Sequence, residues 1–402
     1  MNRCAKLMAC VNSDIRGKNF FTALELEKRG EKILKLNTGN PAAFGFEMPE
    51  SVKNALIENM DLAVGYCDVR GMVPARQAIM QYHLSKNIRS FSLDDIFIGN
   101  GVSEIATMVT TALLNPGDEV LLPTPCYSLW ENEVRLRQAK PVFYRCDESQ
   151  NWQPDAEHIQ SLITPKTKAI VIINPNNPTG VLYENRVLLE IAQIAREHKL
   201  VVLCDEIYDR LVFPGKTHTS FAALADDLTV ITMNGLSKSH SICGFRCGWL
   251  VTSGPAEERN AIGQALLKIA SMRLSANALM QTVIPAALAD TQYTEAMIVP
   301  GGRLYEQRKA TLEELSKLSC ISCVKNDAAF YVFPKIKEEY IAFADDKAFT
   351  ERLLLDKHIL VVPGSGFSWA KPNYFRIVML PQAAELRQAV RQIGAFINEQ
   401  KA

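Results

Sequence analysis

The chain has 402 residues, and its 48% hydrophobic and 22% charged residues are the composition of a globular protein. This length exceeds one ordinary hydrophobic core, which predicts two domains or a large α/β domain with a smaller partner. Lys plus Arg and Asp plus Glu both number 44, so no net charge attracts nucleic acid or anionic membrane, and we expect small molecules or other subunits as partners.

Between residues 95 and 250, short apolar runs alternate with longer amphipathic stretches, which is the βαβ pattern of a mostly parallel sheet. About seven strands are predicted, at residues 96–99, 119–122, 141–145, 169–173, 201–204, 230–233 and 246–251. Helices are predicted between them, for example at residues 103–114 and 186–198. The second of these helices carries leucine, isoleucine and alanine on one face.

After residue 255 the pattern changes to long helical stretches, including residues 302–318, followed by a second α+β region. Strands are predicted at residues 329–334, 359–363 and 375–380, and a terminal helix at residues 383–398. We therefore expect an N-terminal arm with part of a small domain (residues 1–45), a large domain (46–290), and an interdomain helix with the small domain (291–402).

Several features indicate the compartment and argue against a metal. The apolar stretch near the N terminus is short and closed by Asp14, so it fails as a signal peptide, and no segment approaches the roughly 20 apolar residues of a membrane span. The ten cysteines are scattered, which favours reduced thiols. Cys320 and Cys323 have the spacing of a metal-binding or redox hairpin, but no second Cys/His pair follows at the spacing of a zinc site. The histidines form no pattern of metal ligands. We expect a cytoplasmic protein without a metal site.

Ligands of open α/β sheets bind at the carboxyl ends of the strands, and five predicted strand ends carry unusual residues. The first is a glycine turn at residues 99–104, where free backbone N–H groups and the helix dipole would suit a phosphate. The turn is also an incomplete dinucleotide fingerprint without the third glycine, which disfavours NAD. Alone, a plain tight turn explains it equally well.

The other four strand ends are polar. Residues 174–180 form a rigid, amide-rich loop after a buried strand. Asp205 follows an apolar run, where a carboxylate needs a cationic partner such as a protonated pyridine nitrogen. Lys238 could become nucleophilic through desolvation, and Arg246 follows it, although a single lysine is more often a solvated surface residue. Arg376 lies within an apolar strand and could hold a carboxylate in two hydrogen bonds.

Together these sites supply a phosphate cradle, an amide loop, a buried acid, a reactive lysine and a carboxylate clamp, which a pyridoxal-phosphate (PLP) site needs. With the stretches at residues 14–17, 36–41, 65–68, 99–104, 174–180 and 300–308, the chain resembles the fold type I PLP enzymes, the class I/II aminotransferases, over nearly its whole length. Within them it resembles the bacterial alanine (glutamate-pyruvate) aminotransferases. The resemblance implies an α/β fold, with a mostly parallel seven-stranded sheet in a large domain and a smaller α+β domain.

The resemblance also implies roles for the residues around the cofactor ring. Lys238 forms the Schiff base and, once displaced by substrate, moves the proton between Cα and the cofactor. Asp205 keeps the pyridine nitrogen protonated. Asn177 and Tyr208 hydrogen-bond the phenolic oxygen, and Tyr127 stacks on the ring.

The phosphate of PLP would be held by five residues of the same subunit, namely Gly101, Val102, Ser103, Ser237 and Arg246. Tyr66 resembles the tyrosine that reaches the phosphate of the neighbouring subunit. The implied assembly is a homodimer with active sites at the subunit interface.

For the substrate, the resemblance implies that Arg376 holds the α-carboxylate with help from Asn177 and the Gly39 backbone. The expected reaction is ping-pong transfer of an amino group between L-alanine and 2-oxoglutarate, in alanine biosynthesis. Such a pocket must accept both a methyl group and a distal carboxylate. We hypothesise that Arg16, on the N-terminal arm, pairs with the glutamate side chain, with Arg273 as the weaker candidate.

Other functions share these residues. An aminotransferase for aromatic, aspartate or valine donors, a PLP carbon-sulfur lyase and a cyclising synthase would all use the lysine, acid and arginine. A non-catalytic PLP-fold regulator is the alternative outside enzymes, but such proteins usually carry a DNA-binding domain, and this chain has no basic helical extension.

Overall fold

The computed structural model of the chain describes residues 3–12 and 17–401. The strands are β1 (Leu34–Lys35), β2 (Ile96–Asn100), β3 (Glu119–Thr124), β4 (Lys140–Asp147), β5 (Gln153–Pro154), β6 (Thr167–Ile173), β7 (Val201–Asp205), β8 (Val230–Gly235), β9 (Cys247–Ser253), β10 (Ile321–Ser322), β11 (Tyr331–Val332), β12 (Lys335–Ile336), β13 (Ile359–Leu360), β14 (Val362–Pro363) and β15 (Phe375–Val378). The α-helices are α1 (Lys18–Lys28), α2 (Glu50–Glu58), α3 (Val73–Ser85), α4 (Val102–Leu113), α5 (Ser128–Leu136), α6 (Ala156–Leu162), α7 (Asn185–His198), α8 (Phe221–Leu224), α9 (Ala256–Met272), α10 (Ala278–Gln281), α11 (Ile284–Ala289), α12 (Gln292–Ile298), α13 (Arg303–Leu315), α14 (Asp346–Lys357) and α15 (Ala383–Lys401).

The large domain is built on one sheet of eight strands in the order β2-β9-β8-β7-β6-β3-β4-β5. Strands β8, β7, β6, β3 and β4 run parallel, whereas β9 and the two-residue β5 run antiparallel to their neighbours. The seven predicted strands are therefore confirmed, and β5 is a short addition at the edge. This arrangement confirms the predicted α/β class.

The sheet has a hydrophobic core on each of its faces. Consecutive residues of β6 alternate between the two cores, since Ile170 and Ile172 belong to one and Val171 and Ile173 to the other. Helices must cover both faces of such a sheet, which is why its strands are nearly continuous apolar runs. The carboxyl ends of the parallel strands are consequently the open edge where a ligand can bind.

Helix α7 illustrates how the sequence forms the covering layer. Its residues Leu188, Ile191 and Ala195 are fully buried and lie on one face, as the spacing of three and four residues predicts. Each buried leucine or isoleucine contributes about 1.5 to 3 kcal/mol relative to an exposed one. The helix ends at His198, and the next residue, Lys199, adopts a left-handed conformation with φ 52° and donates its backbone N–H to the carbonyl of Ala195.

The small domain combines both ends of the chain. β1 pairs in parallel with β13, and β11, β15 and β14 form a separate antiparallel sheet. The predicted strand at residues 359–363 is two strands in different sheets, because the chain changes partners at Val361. Long helices α13 and α15 cover this domain. Within residues 3–12 and 17–401, no helix is both long and apolar enough to cross a membrane.

Candidate active site

A cavity of about 620 Å³ lies at the carboxyl ends of the parallel strands. Among its lining residues are eleven that the sequence predicted: Gly39, Val102, Ser103, Tyr127, Asn177, Asp205, Tyr208, Ser237, Lys238, Arg246 and Arg376. They come from the loops after five strands of the sheet, from the segment after β1 and from β15. The rule that ligands bind where parallel strands end thus located the cavity correctly.

Lys238 follows β8 and extends its amine into this cavity. Its Nζ donates a hydrogen bond to the backbone carbonyl of Gly39 over 2.8 Å, which links the N-terminal segment to the sheet. Burial lowers the pKa of Lys238 to about 8, and the cations of Arg376 and Arg246 act in the same direction. An amine with this pKa loses its proton far more readily than an exposed lysine, as a nucleophile or base requires.

Asp205 is the last residue of β7 and is 4% exposed. The indole Nε1 of Trp130 and the backbone N–H of Ile207 each donate to it over 3.3 Å. Burial raises the pKa of Asp205 to about 6, against the opposing effect of these donors. The sequence interpretation missed Trp130, which lies in the first turn of α5, three residues after Tyr127.

The glycine turn before α4 forms a cradle against Arg246. Gly101 has φ 85°, and a Cβ there would lie 2.3 Å from Nη2 of Arg246. A Cβ on Gly248 would overlap the backbone of Gly101 and Val102 at 2.5 Å. Only glycine therefore allows the guanidinium to approach the first backbone N–H groups of the helix, where an anion is favoured.

Arg376 is a buried cation, and among the described residues its guanidinium donates hydrogen bonds to neutral groups. Its Nη1 donates to Oδ1 of Asn177 over 3.0 Å and its Nη2 donates to the carbonyl of Asn37. Its guanidinium carbon lies 4.6 Å from the ring centre of Tyr331 and 4.8 Å from that of Phe367. Nε has no hydrogen-bond partner among the described residues, so the site is suited to bind an anion.

Two tyrosines face each other between these groups. The hydroxyls of Tyr208 and Tyr331 are 2.9 Å apart, and a Cβ on Gly39 would lie 2.2 Å from the Tyr331 hydroxyl. Tyr331, Asn37 and Cys243 also line the cavity but were not predicted. Tyr331 lies on β11 of the small domain, so its position depends on how that domain packs against the sheet.

Comparison with known proteins establishes the family. Residues 31–393 match the family model described as aminotransferase class I and II. The chain belongs to this family. It is 46% identical over 386 residues to the glutamate-pyruvate aminotransferase AlaA of Haemophilus influenzae, with 96% of each chain covered. It is 42% identical over 385 residues to the alanine aminotransferase of Mycobacterium tuberculosis, covering 96% of this chain and 90% of that one.

Solved structures agree with this assignment. The aminotransferase superposes on the crystal structure of an aminotransferase from Escherichia coli with a TM-score of 0.97, at 44% identity and with 99% and 98% of the two chains covered. The alanine aminotransferase of Pyrococcus furiosus gives a TM-score of 0.94 at 36% identity, with 99% and 100% covered. The resemblance and the fold class expected from the sequence motifs are thus confirmed.

Three predicted site residues, Gly101, Tyr66 and Arg273, do not line this cavity, although Gly101 lies against Arg246 in its wall. Tyr66 of this aminotransferase is 82% exposed and does not line the cavity of its own chain. Arg16 lies outside the described residues. The weaker candidate, Arg273, donates from Nη2 to the carbonyl of Ile98 over 2.7 Å, and its Nε is 3.8 Å from Glu104. It is not among the residues that line the cavity.

Among the described residues, three potential metal ligands that follow β7 in the chain lie close together. Single ligand atoms of Glu206, Asp209 and His218 lie within 4.8 Å of one another. Asp209 is already engaged, because its Oδ2 accepts a hydrogen bond from Tyr82 at 2.6 Å and contacts the Lys86 ammonium. The cation balances the carboxylate without a metal ion. The absence of a metal site stays a prediction.

Proposed function

We propose that this aminotransferase exchanges an amino group between L-alanine and 2-oxoglutarate, giving pyruvate and L-glutamate, with PLP bound in the cavity. One observation carries the proposal: the Lys238 amine, the Asp205 carboxylate and the Arg376 guanidinium share one cavity. The relatives whose names specify alanine or glutamate and pyruvate support this substrate pair, since their similarity extends over 96% of the chain.

The residues present fit PLP. A cavity of about 620 Å³ is within the usual size range of cofactor sites, which is about 300 to 1,000 Å³. The Gly101 turn, with Arg246 against it, suits a phosphate. The guanidinium of Arg376 can bind a carboxylate, because its Nε has no partner among the described residues. Lys238 supplies an amine in the same cavity.

When bound, PLP supplies an aldehyde carbon that bonds to amines and a ring that accepts the electrons released when a Cα–H bond breaks. Lys238 would hold it covalently through Nζ. Once substrate has freed this amine, its pKa near 8 suits it to take and return the proton at the substrate Cα. Lys238 is therefore the proposed catalytic residue.

The ring would be held by four side chains. Asp205 would face the pyridine nitrogen, and a cation there would lower the pKa of this carboxylate from about 6 and keep it ionised. The hydroxyl of Tyr208 and the amide of Asn177 would donate to the phenolic oxygen. Tyr127 would stack on the ring face. Trp130 acts through Asp205 as a positioning residue.

The phosphate would lie at the start of α4. The backbone N–H groups of Val102 and Ser103 would donate to its oxygens at the positive end of the helix dipole. Gly101 would form the turn that exposes them, since its own N–H donates to the carbonyl of Gly99 over 2.8 Å. The hydroxyl of Ser237 and the guanidinium of Arg246 would complete the set. Both side chains line the cavity next to Lys238.

The substrate carboxylate would pair with Arg376, helped by Asn177 and the Gly39 backbone. All α-amino acids carry this group, so the clamp binds both alanine and glutamate without choosing between them. Arg16 remains our proposal for the partner of the glutamate side chain.

We also propose that the active form is a cytoplasmic homodimer. Large apolar side chains close to Tyr66 in the chain are exposed, among them Leu62 at 64% and Val64 at 88%, and Met272 at the end of α9 is 86% exposed. An exposed apolar surface of this kind is typical of a subunit interface. Pairing of two such surfaces would bring Tyr66 of one subunit to the phosphate of the other.

Initial-rate kinetics with a panel of amino donors test the proposed reaction. Alanine with 2-oxoglutarate should give parallel double-reciprocal lines, the signature of a ping-pong mechanism, and release pyruvate. Aspartate, valine and aromatic donors should react with at least about a tenfold lower kcat/KM, a difference of about 1.4 kcal/mol. A donor from that panel that reacts faster than alanine and glutamate would refute the substrate pair. Pyruvate released from cysteine without a keto acid would indicate a lyase instead.

A further inference from the structure

A second cavity, of about 800 Å³, lies in the small domain between the C-terminal half of α13 and β10. It shares no lining residue with the active-site cavity. Five cationic side chains line it: Arg308, Lys309, Lys317, Lys325 and Lys337. The acidic side chain in its wall, Glu313, already pairs with Arg387 at 2.7 Å.

This charge distribution is unusual for the chain. The whole sequence carries 44 basic and 44 acidic residues, whereas the cleft has five cations against one carboxylate. Lys317 pairs with Glu314 at 2.8 Å, but in the described part of the chain no such ion pair involves Lys309, Lys325 or Lys337. A cleft lined by one sign of charge concentrates the electrostatic field and attracts an oppositely charged ligand.

The same cleft has an apolar portion. Leu312, Leu318 and Ile321 line it beside the lysines, and its volume suits a ligand of nucleotide size. An inorganic ion would leave these side chains without contact, and an uncharged ligand would leave the cations unpaired. We propose that this cleft binds a multiply charged organic anion with an apolar portion, the chemistry of a phosphorylated metabolite such as a nucleotide.

Arg308 also has a structural role, so it is unsuitable as a test position. Its Nε donates to the carbonyl and to Oδ1 of Asn326, each over 3.1 Å. Asn326 in turn packs against Gly180, where a Cβ would lie 2.8 Å from that of Asn326. Lys325 is exposed and Lys337 is partly exposed, so charge reversal at these two positions should leave the fold intact.

Isothermal titration calorimetry of ATP into the PLP-saturated protein tests the proposal, because PLP keeps ATP from the Arg246 cradle. Lys325→Glu/Lys337→Glu should weaken ATP binding at least about tenfold, since two attractive charges become repulsive. Lys216→Glu/Lys371→Glu is the matched control: both lysines are exposed, and the net charge changes equally. This control should bind ATP like the wild type.

Two further ligands separate the contributions of charge and apolar surface. Inorganic tripolyphosphate and adenosine should each bind at least about tenfold more weakly than ATP. The proposal is wrong if ATP does not bind the wild type, if both double variants lose equal affinity, or if adenosine binds as tightly as ATP. Equal affinity for tripolyphosphate would overturn the apolar part of the proposed ligand class.

Discussion

The indole N–H of Trp130 donates a hydrogen bond to Oδ2 of Asp205 over 3.3 Å, at the end of the central strand β7. This bond opposes the effect of burial, which raises the pKa of Asp205 to about 6. Trp130 therefore favours the ionised carboxylate that a pyridinium nitrogen requires. Through this contact, a helix that covers the sheet affects the ionisation of a carboxylate in the proposed cofactor site.

Trp130→Phe keeps an aromatic ring in the core but removes this donor. We expect the pKa of Asp205 to rise further and PLP affinity to fall about tenfold, because a hydrogen bond to a charged group contributes about 1.5 to 3 kcal/mol. Absorbance titration with PLP at several pH values measures both effects. Trp249→Phe is the matched control, since that indole donates to His83 over 3.0 Å. Equal losses of PLP affinity would contradict the role of Trp130.

Asp205→Asn should change how the stability of the PLP-free protein depends on pH. Because burial raises the pKa of Asp205 from 3.8 to about 6, the folded state binds more protons than the unfolded state between these values. The contribution of Asp205 to the free energy of unfolding therefore falls as pH rises from about 4 to about 6. The asparagine does not titrate, so the variant should gain stability relative to the wild type across this range. Urea unfolding at about pH 4 and about pH 6 measures the difference in free energy of unfolding between the variant and the wild type. The same difference at both pH values would show that the carboxylate is not buried.

Arg376→Lys should weaken the binding of every amino donor. Lysine cannot make two parallel hydrogen bonds to a carboxylate, so kcat/KM should fall about 100-fold for alanine and for glutamate alike, or about 2.7 kcal/mol. PLP affinity should change much less, because Arg376 is not among the residues proposed to hold the cofactor. Rapid-mixing kinetics of the half-reactions and a PLP titration measure the two effects. A loss of kcat/KM confined to one donor would show that Arg376 binds the side chain of that donor and not the shared α-carboxylate.

Gly101→Ala should displace Arg246, because the added Cβ would lie 2.3 Å from Nη2 and the φ of 85° is unfavourable for alanine. We expect PLP affinity to fall by at least about tenfold through loss of the charge-assisted bond to phosphate. Gly263→Ala serves as the control, since nothing lies within 4 Å of a Cβ there in the middle of α9. Gly263→Ala should match or exceed the wild type in stability. Equal PLP affinity of Gly101→Ala and Gly263→Ala would contradict the proposed phosphate cradle.

The sequence was sufficient to locate much of the candidate site. Asp205, Lys238 and Asn177 lie at the ends of parallel strands, and such ends must meet at one edge of the sheet. Arg376 was identifiable because a charge within an apolar strand requires a partner. These residues follow from local patterns combined with one rule of sheet topology.

Contacts between separately folded elements could not be predicted in this way. The bond from Trp130 depends on how α5 rotates against the sheet, and the position of Tyr331 depends on the packing of the small domain. Likewise, residues 359–363 form one continuous apolar run, and nothing in that run indicates that it divides into β13 and β14. The division depends on the partner strands, because β13 pairs with β1 and β14 pairs with β15.

Borohydride reduction followed by peptide mapping tests the central claim most directly. Reduction of the PLP-loaded protein should fix the cofactor to a single peptide, with the modified lysine at position 238. Lys238→Ala should yield no modified peptide, although it should still bind PLP noncovalently through the phosphate and ring contacts. Recovery of the cofactor on any other lysine of the wild-type protein would contradict the assignment of Lys238 and, with it, the proposed active site.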